Sequence, residues 1–342
     1  MIVTGDTNFY RKIVEDVSIK KPWKLDAIAK ELIRAEKKKG IRAMMGSIAA
    51  SELLSHLLDD SKSRDYRSCL KACKVMYNHC REDKNSFRLL PSPQTQIAKE
   101  YFGKINLSAI KTQQILGVVM SHVAKKPKSK TITKFSNELT QVKDHIKDTE
   151  QCLINEVLGM CRQIDPNYTV WHLFVGDKTK RAAYLNFIRS QTFKEQTACA
   201  MLIAVNMQLT QQGIMPQTPA VTQQMINTFV LSYQVALSLR EFFFSQFLTP
   251  GFDLSTKSRA NYLWDEQILY FVDKQVDNED IVLLTSDKKM CDAAQTCNVR
   301  NKVKKYDEYI TELGLAPVFQ AIKKGRCSFL IYRLKRCLRP IR

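Results

Sequence analysis

The stretch from Asn261 to Asp292 constrains the fold more than any other part of this 342-residue chain. Its first half, Asn261 to Val276, repeats apolar residues at helical spacing, which predicts an amphipathic helix. After a turn at Asp277-Asn278, the run Ile281 to Leu284 is uniformly apolar and rich in β-branched residues. Such a run is typical of a parallel strand that helices cover on both faces. The stretch therefore predicts an α/β fold.

Two acids in this stretch occupy positions that suit a ligand site. Asp287 follows the apolar strand, at the carboxyl edge of the sheet where ligands bind in open α/β folds. Asp265 lies on the edge of the helical stripe and faces largely apolar surface, where a carboxylate needs a cation or hydrogen-bond donors. The alternative for Asp287 is that it only caps the helix that begins near Lys288.

Two more acids lie in comparable positions near the amino terminus. The segment Met1 to Phe9 reads as a short strand that runs into Asp6. The segment Ile41 to Leu58 reads as a strand and then a helix, which Glu52 opens. Taken alone, Asp6 is an N-cap of the following helix and Glu52 is a solvated surface residue. The order of the four acids along the chain is the feature that links them.

This order resembles that of PIN-domain nucleases, a family with a small parallel sheet and four clustered acids. The resemblance covers about residues 1–60 and 253–312. The sequence departs from the family pattern at Thr4-Gly5, where two apolar residues are usual. It implies that four acids serve as both metal ligands and catalytic residues, namely Asp6, Glu52, Asp265 and Asp287. It also implies that Asn8 and Thr285 do not bind the ion themselves but orient the side chains that do.

The resemblance further implies phosphodiester hydrolysis that leaves a 5′-phosphate and a 3′-hydroxyl. The expected substrate is single-stranded or structured RNA, and the expected role is that of a ribonuclease, such as a toxin or defence effector. Four carboxylates brought together repel one another, so without a cation at least one of them holds a proton. The expected cofactor is Mg²⁺ or Mn²⁺, because these ions prefer oxygen ligands and can activate water for attack at phosphorus.

The predicted architecture is a PIN-like small parallel sheet flanked by helices and interrupted by a mostly helical insertion. Residues 1–60 and 251–313 form the predicted nuclease domain, residues 61–250 the insertion and residues 314–342 a basic tail. Repeated stripes of period 3.6 predict that the insertion is almost wholly helical. It is the expected docking surface for an inhibitor protein or a second copy of the chain. Val299 to Val303 is the predicted last strand.

The charge balance favours phosphate-bearing partners. Lys and Arg total 53 against 34 acids, a net charge of +19, which is typical of proteins that bind nucleic acid or an anionic membrane surface. The segment from Leu313 to Arg342 contains no acid. Its candidate nucleic-acid contacts are Lys323, Lys324, Arg333, Lys335, Arg336 and Arg339. The alternatives for this tail are an amphipathic helix on a membrane surface and a solubilising end.

The cysteines predict a reduced, cytoplasmic environment, because the 10 of them are scattered without a Cys-x-x-Cys pair. Nothing at the amino terminus resembles a signal peptide, and no uninterrupted apolar stretch predicts a transmembrane segment. One helical stripe carries Cys69, Cys73 and Cys80, with His79 beside it and His56 earlier in the chain. We interpret this stripe as core rather than as a zinc site.

Two other classes of function compete with the nuclease. The weak first strand suits a non-catalytic nucleic-acid-binding protein on a PIN scaffold, and the long helical segment suits a protein-interaction module. Metal-dependent cleavage distinguishes the enzyme from both. Salt-sensitive binding of nucleic acid distinguishes the non-catalytic nucleic-acid-binding protein from the protein-interaction module.

Overall fold

The computed structural model describes residues 1–15, 22–83, 86–168, 172–215, 221–254, 256–272 and 274–323. Its sheet consists of β1 (Ile2–Gly5), β2 (Arg42–Ala43), β3 (Gln275–Val276), β4 (Glu279–Thr285) and β5 (Val303–Lys305). Strands β2, β1, β4 and β5 pair in that order and are all parallel. The chain is therefore a mixed α/β protein with a small sheet, as the sequence predicted.

The apolar run in β4 is buried on both faces of the sheet. Val282 and Leu284 pack into one hydrophobic cluster, and Leu283 packs into a second cluster on the other face. Ile281 and Ile2 belong to a smaller cluster at the start of these strands. Burial on both faces explains why the run lacks the alternation of polar and apolar residues that an exposed sheet shows.

The sheet is mixed, whereas the sequence predicted a parallel one. β3 pairs with β4 in the antiparallel direction, with Gln275 opposite Asp280. The connecting residues Asp277 and Asn278 both have positive φ angles, of 54° and 62°. Asp and Asn tolerate this conformation, which two-residue hairpin turns require. The predicted helix from Asn261 to Val276 is wrong at its end for the same reason, because the hairpin takes its last residues.

Helices make up most of the described chain. They are α1 (Thr7–Val14), α2 (Pro22–Lys38), α3 (Ser47–Ser55), α4 (Arg64–His79), α5 (Pro93–Phe102), α6 (Leu107–Lys125), α7 (Ser129–Lys134), α8 (Ser136–Ile164), α9 (Lys178–Ile188), α10 (Gln191–Gln211), α11 (Gln223–Ser232), α12 (Gln234–Ser245), α13 (Lys257–Leu269), α14 (Lys288–Thr296), α15 (Tyr306–Glu312) and α16 (Ala316–Lys323). The predicted last strand begins later than expected, because residues 300–302 form a turn of 3-10 helix before β5.

The segment 61–250 is mostly helical where it is described, as the periodic stripes predicted, and residues 80–83 and 86–92 belong to an irregular connection with two isolated β-bridges. Its helices share their hydrophobic cores with the sheet. α4 and α6 join the cluster that contains Val282 and Leu284, and α10 to α12 join the cluster that contains Leu283. A third cluster brings α8, α9 and α12 against α13. The division into a nuclease domain and an insertion stays a prediction, and these cores run across its boundaries at 60 and 250.

Close packing explains the weak apolar character of the first strand. A Cβ atom on Gly5 would lie 2.6 Å from the ring of Phe9 and 2.7 Å from that of Tyr10. Such distances are too short for contact between carbon atoms, so the aromatic side chains of α1 need glycine at this point. Thr4 is buried beside it. The unusual Thr4-Gly5 pair is thus compatible with a fully paired strand.

None of the described helices is both long enough and apolar enough to cross a bilayer.

Candidate active site

Two neighbouring strands bring the first and last predicted acids together. β1 and β4 are parallel, with Gly5 opposite Leu284. The backbone N–H of Asp6 donates to the carbonyl oxygen of Leu284 over 3.0 Å. Because both strands end here, the residues that follow them enter the same edge of the sheet. Asp6 and Thr285 lie side by side although they are 279 positions apart in the chain.

The Asp6 carboxyl group is buried and receives two hydrogen bonds. The backbone N–H of Phe9 donates to Oδ1 at a distance of 2.6 Å, and the hydroxyl of Thr285 donates to Oδ2 at a distance of 2.5 Å. The first bond makes Asp6 the N-cap of α1. Burial raises the pKa of Asp6 to about 7; the two hydrogen bonds lower it, and the charges of Glu52 and Asp287 raise it. Near neutral pH and without a cation, both the protonated and the ionised form of the Asp6 carboxyl are therefore present.

Asp287 has the corresponding position after β4. Its Oδ1 accepts from the backbone N–H of Lys289 over 2.6 Å and from that of Met290 over 3.4 Å, which makes it the N-cap of α14. Its own N–H donates to the hydroxyl oxygen of Thr285 over 2.8 Å. Thr285 thus connects the two capping acids. The capping roles expected from the sequence are confirmed, and they coexist with a place in the same pocket.

Glu52 does not open its helix, in contrast to the prediction. α3 begins at Ser47 after the N-cap Gly46, so Glu52 lies in the second turn. The small residues between Ser47 and Ser51 extend the helix toward its amino terminus. Glu52 is half-buried, and its Oε2 accepts a hydrogen bond of 2.6 Å from the hydroxyl of Thr7. Glu52 is therefore not a freely solvated surface residue, because its half-buried side chain is hydrogen-bonded to α1.

Asp265 is the acid in the least favourable environment for a charge. It lies on α13, half-buried. Burial raises the pKa of the Asp265 carboxyl well above its ordinary value, and the charges of Asp287, Asp6 and Glu52 raise it further, whereas Lys289 lowers it. The mutual influence of these groups agrees with the repulsion expected for clustered carboxylates.

The four acids line one pocket of about 80 Å³. Asn8 lines it as well, and Thr285 supports it through the bond to Asp6. The other residues that shape the pocket include Thr7, Tyr262, Trp264, Ile268 and Lys289. The structure therefore brings together all six residues that the sequence predicted for the site and its support.

Several residues of this pocket were not predicted from the sequence. Thr7 hydrogen-bonds to Glu52, and in the sequence it lies between the predicted site residues Asp6 and Asn8. The Nζ atom of Lys289 lies 4.0 Å from the centre of the Tyr262 ring, within the range of a cation–π contact. The indole N–H of Trp264 donates to Oε1 of Glu150 at a distance of 2.7 Å, and this bond holds the Trp264 ring in the lining of the pocket. Glu150 belongs to α8, so no local pattern around Trp264 indicated this contact.

The donor set suits a hard divalent cation. All four acids offer carboxylate oxygens, the ligands that Mg²⁺ and Mn²⁺ prefer, and two of them have raised pKa values that a cation would reverse. Among the described residues, no three Asp, Glu, His or Cys side chains already surround one point at metal-ligand geometry. A coordination shell would therefore require some of these side chains to rotate within the pocket.

The cysteine stripe on α4 is core, as the sequence indicated. Cys69, Cys73 and Cys80 are buried, and burial raises the pKa of the Cys73 thiol well above its usual value. Metal ligation requires thiolate, which this environment opposes. His79 contacts Glu36 and Tyr10 instead, and His56 contacts Asp59.

The predicted nucleic-acid contacts of the tail cannot be located in the fold. Lys324, Arg333, Lys335, Arg336 and Arg339 lie outside the described residues, and for Lys323 only the backbone at the end of α16 is described.

Comparisons of this chain with protein-family models, with curated proteins and with solved structures found no significant match. The class that the fold and pocket define is a helix-rich α/β protein with four carboxylates at one edge of a small sheet.

Proposed function

We propose that this protein is a metal-dependent nuclease that hydrolyses phosphodiester bonds, with RNA as its substrate. One observation carries the proposal. Four acids from separate elements, spread from residue 6 to residue 287, line a single pocket, and the pKa values of Asp6 and Asp265 are raised there. Carboxylates gathered in this way disfavour the folded chain without a cation. A functional requirement for a cation accounts for their convergence.

The chain's own residues have distinct tasks in this proposal. Asp6, Glu52, Asp265 and Asp287 would hold Mg²⁺ or Mn²⁺, whose chemistry is the activation of water and the neutralisation of charge that develops at phosphorus. The Thr285 hydroxyl positions Asp6 and Asp287 relative to each other. Thr7 positions Glu52. These hydroxyl groups keep the acids from turning away from one another during the reaction.

The choice of RNA rests on the resemblance of the motifs to PIN-domain nucleases. The membership of this chain in that family is part of the proposal, as are the toxin or defence role and an inhibitor partner. A single-stranded or structured RNA is the form of substrate that this resemblance implies.

A cleavage assay tests the proposal. Purified protein is incubated with mixed-sequence single-stranded RNA and, separately, DNA, in Mg²⁺, in Mn²⁺ and in chelator. We expect RNA to be cut only with metal, and Asp265→Asn to reduce the rate by at least about 100-fold, since even residues behind metal ligands cost 10- to 100-fold. The matched control is Asp292→Asn, an exposed acid on α14. Cleavage by Asp265→Asn at the parental rate would contradict the proposal.

A non-catalytic nucleic-acid-binding protein is the second candidate, and one observation favours it. Asp6 and Asp287 both serve as helix N-caps, a structural role that explains two of the four acids without a cation. This candidate predicts tight binding of RNA with no cleavage under any metal condition. It leaves the burial of Asp265 unexplained, because that acid caps no helix.

A further inference from the structure

We call the pocket that the four acids line the carboxylate pocket. A second and larger pocket opens directly beside it. Its volume is about 730 Å³, and it shares Asn8 and Asp287 with the smaller pocket. Its walls are formed by α1 and by the first half of α4, and Ser286 lines it as well. We call this pocket the basic cleft. Its volume lies within the range of about 300–1,000 Å³ that is common for ligand sites.

Both walls of the basic cleft present a stripe of polar residues at helical spacing. The lining positions are 8, 11 and 12 on α1, 15 at the cap that ends α1, and 64, 65, 67, 68 and 71 on α4. Apart from Asp65, the two sets follow the i, i+3, i+4, i+7 pattern of one helix face. The opposite faces are anchored in the core, by Phe9 and Ile13 on α1 and by Leu70 and Cys73 on α4. The orientation of the charged faces is therefore fixed by packing.

Basic side chains outnumber acidic ones in the lining, five to three. It contains Arg11 and Lys12 from α1 and Arg64, Arg67 and Lys71 from α4. Its acids outside the carboxylate pocket are Glu15 and Asp65, and both form ion pairs across the cleft, Arg64 with Glu15 at 3.8 Å and Arg11 with Asp65.

These cross-cleft ion pairs are replaceable. The Arg64 side chain is 86% exposed and that of Asp65 is 54% exposed. Ion pairs in contact with water contribute little to stability, so phosphate oxygens can take the place of the carboxylates at small cost. Arginine suits this exchange because its planar guanidinium binds phosphate through two parallel hydrogen bonds.

The chemistry of the walls selects a phosphate backbone rather than bases. None of the described residues that line the cleft is aromatic. Recognition of bases in a single strand depends on aromatic stacking, whereas contacts to phosphates come from Arg, Lys and Ser. The cleft therefore has the groups for sequence-independent binding of a polyanion. A strand that lies in it reaches the acids through the residues shared by the two pockets.

We propose that the basic cleft binds the phosphodiester backbone of a single-stranded nucleic acid, on one side of the bond to be cut. This inference rests on the proposed nuclease function, to which it adds the path of the substrate. A polyanion is repelled by the carboxylate pocket, and the adjoining positive charges offset that repulsion. The cleft thus supplies the affinity, and the acids supply the chemistry.

Binding of RNA in chelator tests this inference apart from cleavage. The cleft variant carries Lys12→Gln with Arg67→Gln, two exposed positions on facing walls. The matched control carries Lys111→Gln with Arg162→Gln, which are exposed on α6 and α8. Affinity for fluorescent oligouridylate and oligoadenylate is measured over a range of salt concentrations. All proteins keep the basic tail, so its contribution cancels.

We expect the cleft variant to flatten the plot of log affinity against log salt by about 1.4 units, since each phosphate contact contributes about 0.7 for a single strand. The change should be equal for both oligonucleotides and absent in the control. A variant with Lys12→Arg and Arg67→Lys should keep the parental slope. Equal slopes for the parent and the cleft variant would overturn the inference and point to an acidic protein as the ligand of the cleft. Because no cleavage occurs in chelator, this result is independent of whether the acids are catalytic.

Discussion

Asp265 is the residue on which the proposed cation site most clearly depends. A carboxyl whose pKa in the folded chain exceeds its unfolded value of about 3.9 stabilises the fold only while it is protonated, and this contribution is lost as the pH rises through the folded pKa. We therefore expect Asp265→Asn to unfold at a higher temperature than the parent in chelator near neutral pH. The expected gain is about 2 °C, or roughly 1 kcal/mol after screening by water.

The pH dependence provides the check on Asp265. The advantage of Asp265→Asn should vanish below about pH 4, where the parental carboxyl is protonated in both states. The parent itself should also lose stability as the pH approaches 7, because burial raises the pKa of Asp6 to about 7. Thermal unfolding in chelator, with Asp292→Asn as the control, measures both effects. If Asp265→Asn instead destabilises the protein equally at every pH, then ionisation of the parental Asp265 carboxyl does not destabilise the fold.

Thr285 is the residue whose hydroxyl joins two of the acids. It is fully buried, donates to Asp6 and accepts from the backbone N–H of Asp287. Thr285→Val keeps the shape and removes both bonds, so we expect cleavage to slow by about 10- to 100-fold. Thr285→Ser retains the hydroxyl and should stay within a few-fold of the parent. If valine and serine variants cut RNA equally fast, the hydroxyl does not position the acids.

At the scale of the elements, a chain of buried hydrogen bonds joins the last helices to the first. The Tyr309 hydroxyl on α15 donates to Oε1 of Glu36 over 2.6 Å, and Oε2 of Glu36 lies 2.7 Å from Nε2 of His79. Nδ1 of His79 lies 2.9 Å from the Tyr10 hydroxyl on α1. Burial raises the pKa of Tyr309, and the charge of Glu36 raises it further, so the hydroxyl remains a donor.

These connected hydrogen bonds predict that a single substitution at Tyr309 lowers the stability of the fold. Tyr309→Phe removes a hydrogen bond to a buried carboxylate, and we expect it to lower the free energy of unfolding by about 1.5–3 kcal/mol. Tyr306→Phe is the control, since Tyr306 lies on the same helix but outside this chain of bonds, and its effect should stay within about 0.5 kcal/mol. Denaturant unfolding measures both values. Equal effects of the two substitutions would mean that the bond to Glu36 contributes nothing.

Element types were easier to predict from the sequence than element ends. The run Ile281 to Leu284 identified β4 because burial on both faces leaves an unbroken apolar signature. The start of α3 was misplaced because no polar cap marks Gly46. The hairpin at β3 was missed because its pairing depends on positive φ angles at Asp277 and Asn278, which those residues permit without requiring.

For the whole molecule, the acids were predictable and the basic cleft was not. Asp6 and Asp287 follow strands, so their meeting point follows from parallel pairing of β1 with β4. The cleft arises from the packing of α1 against α4, and nothing in the separate helical stripes indicates which faces meet. The contact of Trp264 with Glu150 on α8 is likewise tertiary. Such arrangements become visible only when distant helices are placed side by side.

The proposed function requires that Asp6, Glu52, Asp265 and Asp287 bind one cation. A crystal structure of the parent soaked in Mn²⁺, with anomalous diffraction to locate the ion, tests it most directly. We predict an anomalous peak in the carboxylate pocket with oxygens of Asp6, Asp265 and Asp287 within about 2.0–2.6 Å, and Glu52 bound directly or through water. The peak should disappear in Asp265→Asn. A saturated soak with no peak in this pocket, or with a peak that Asp265→Asn leaves unchanged, would contradict the account.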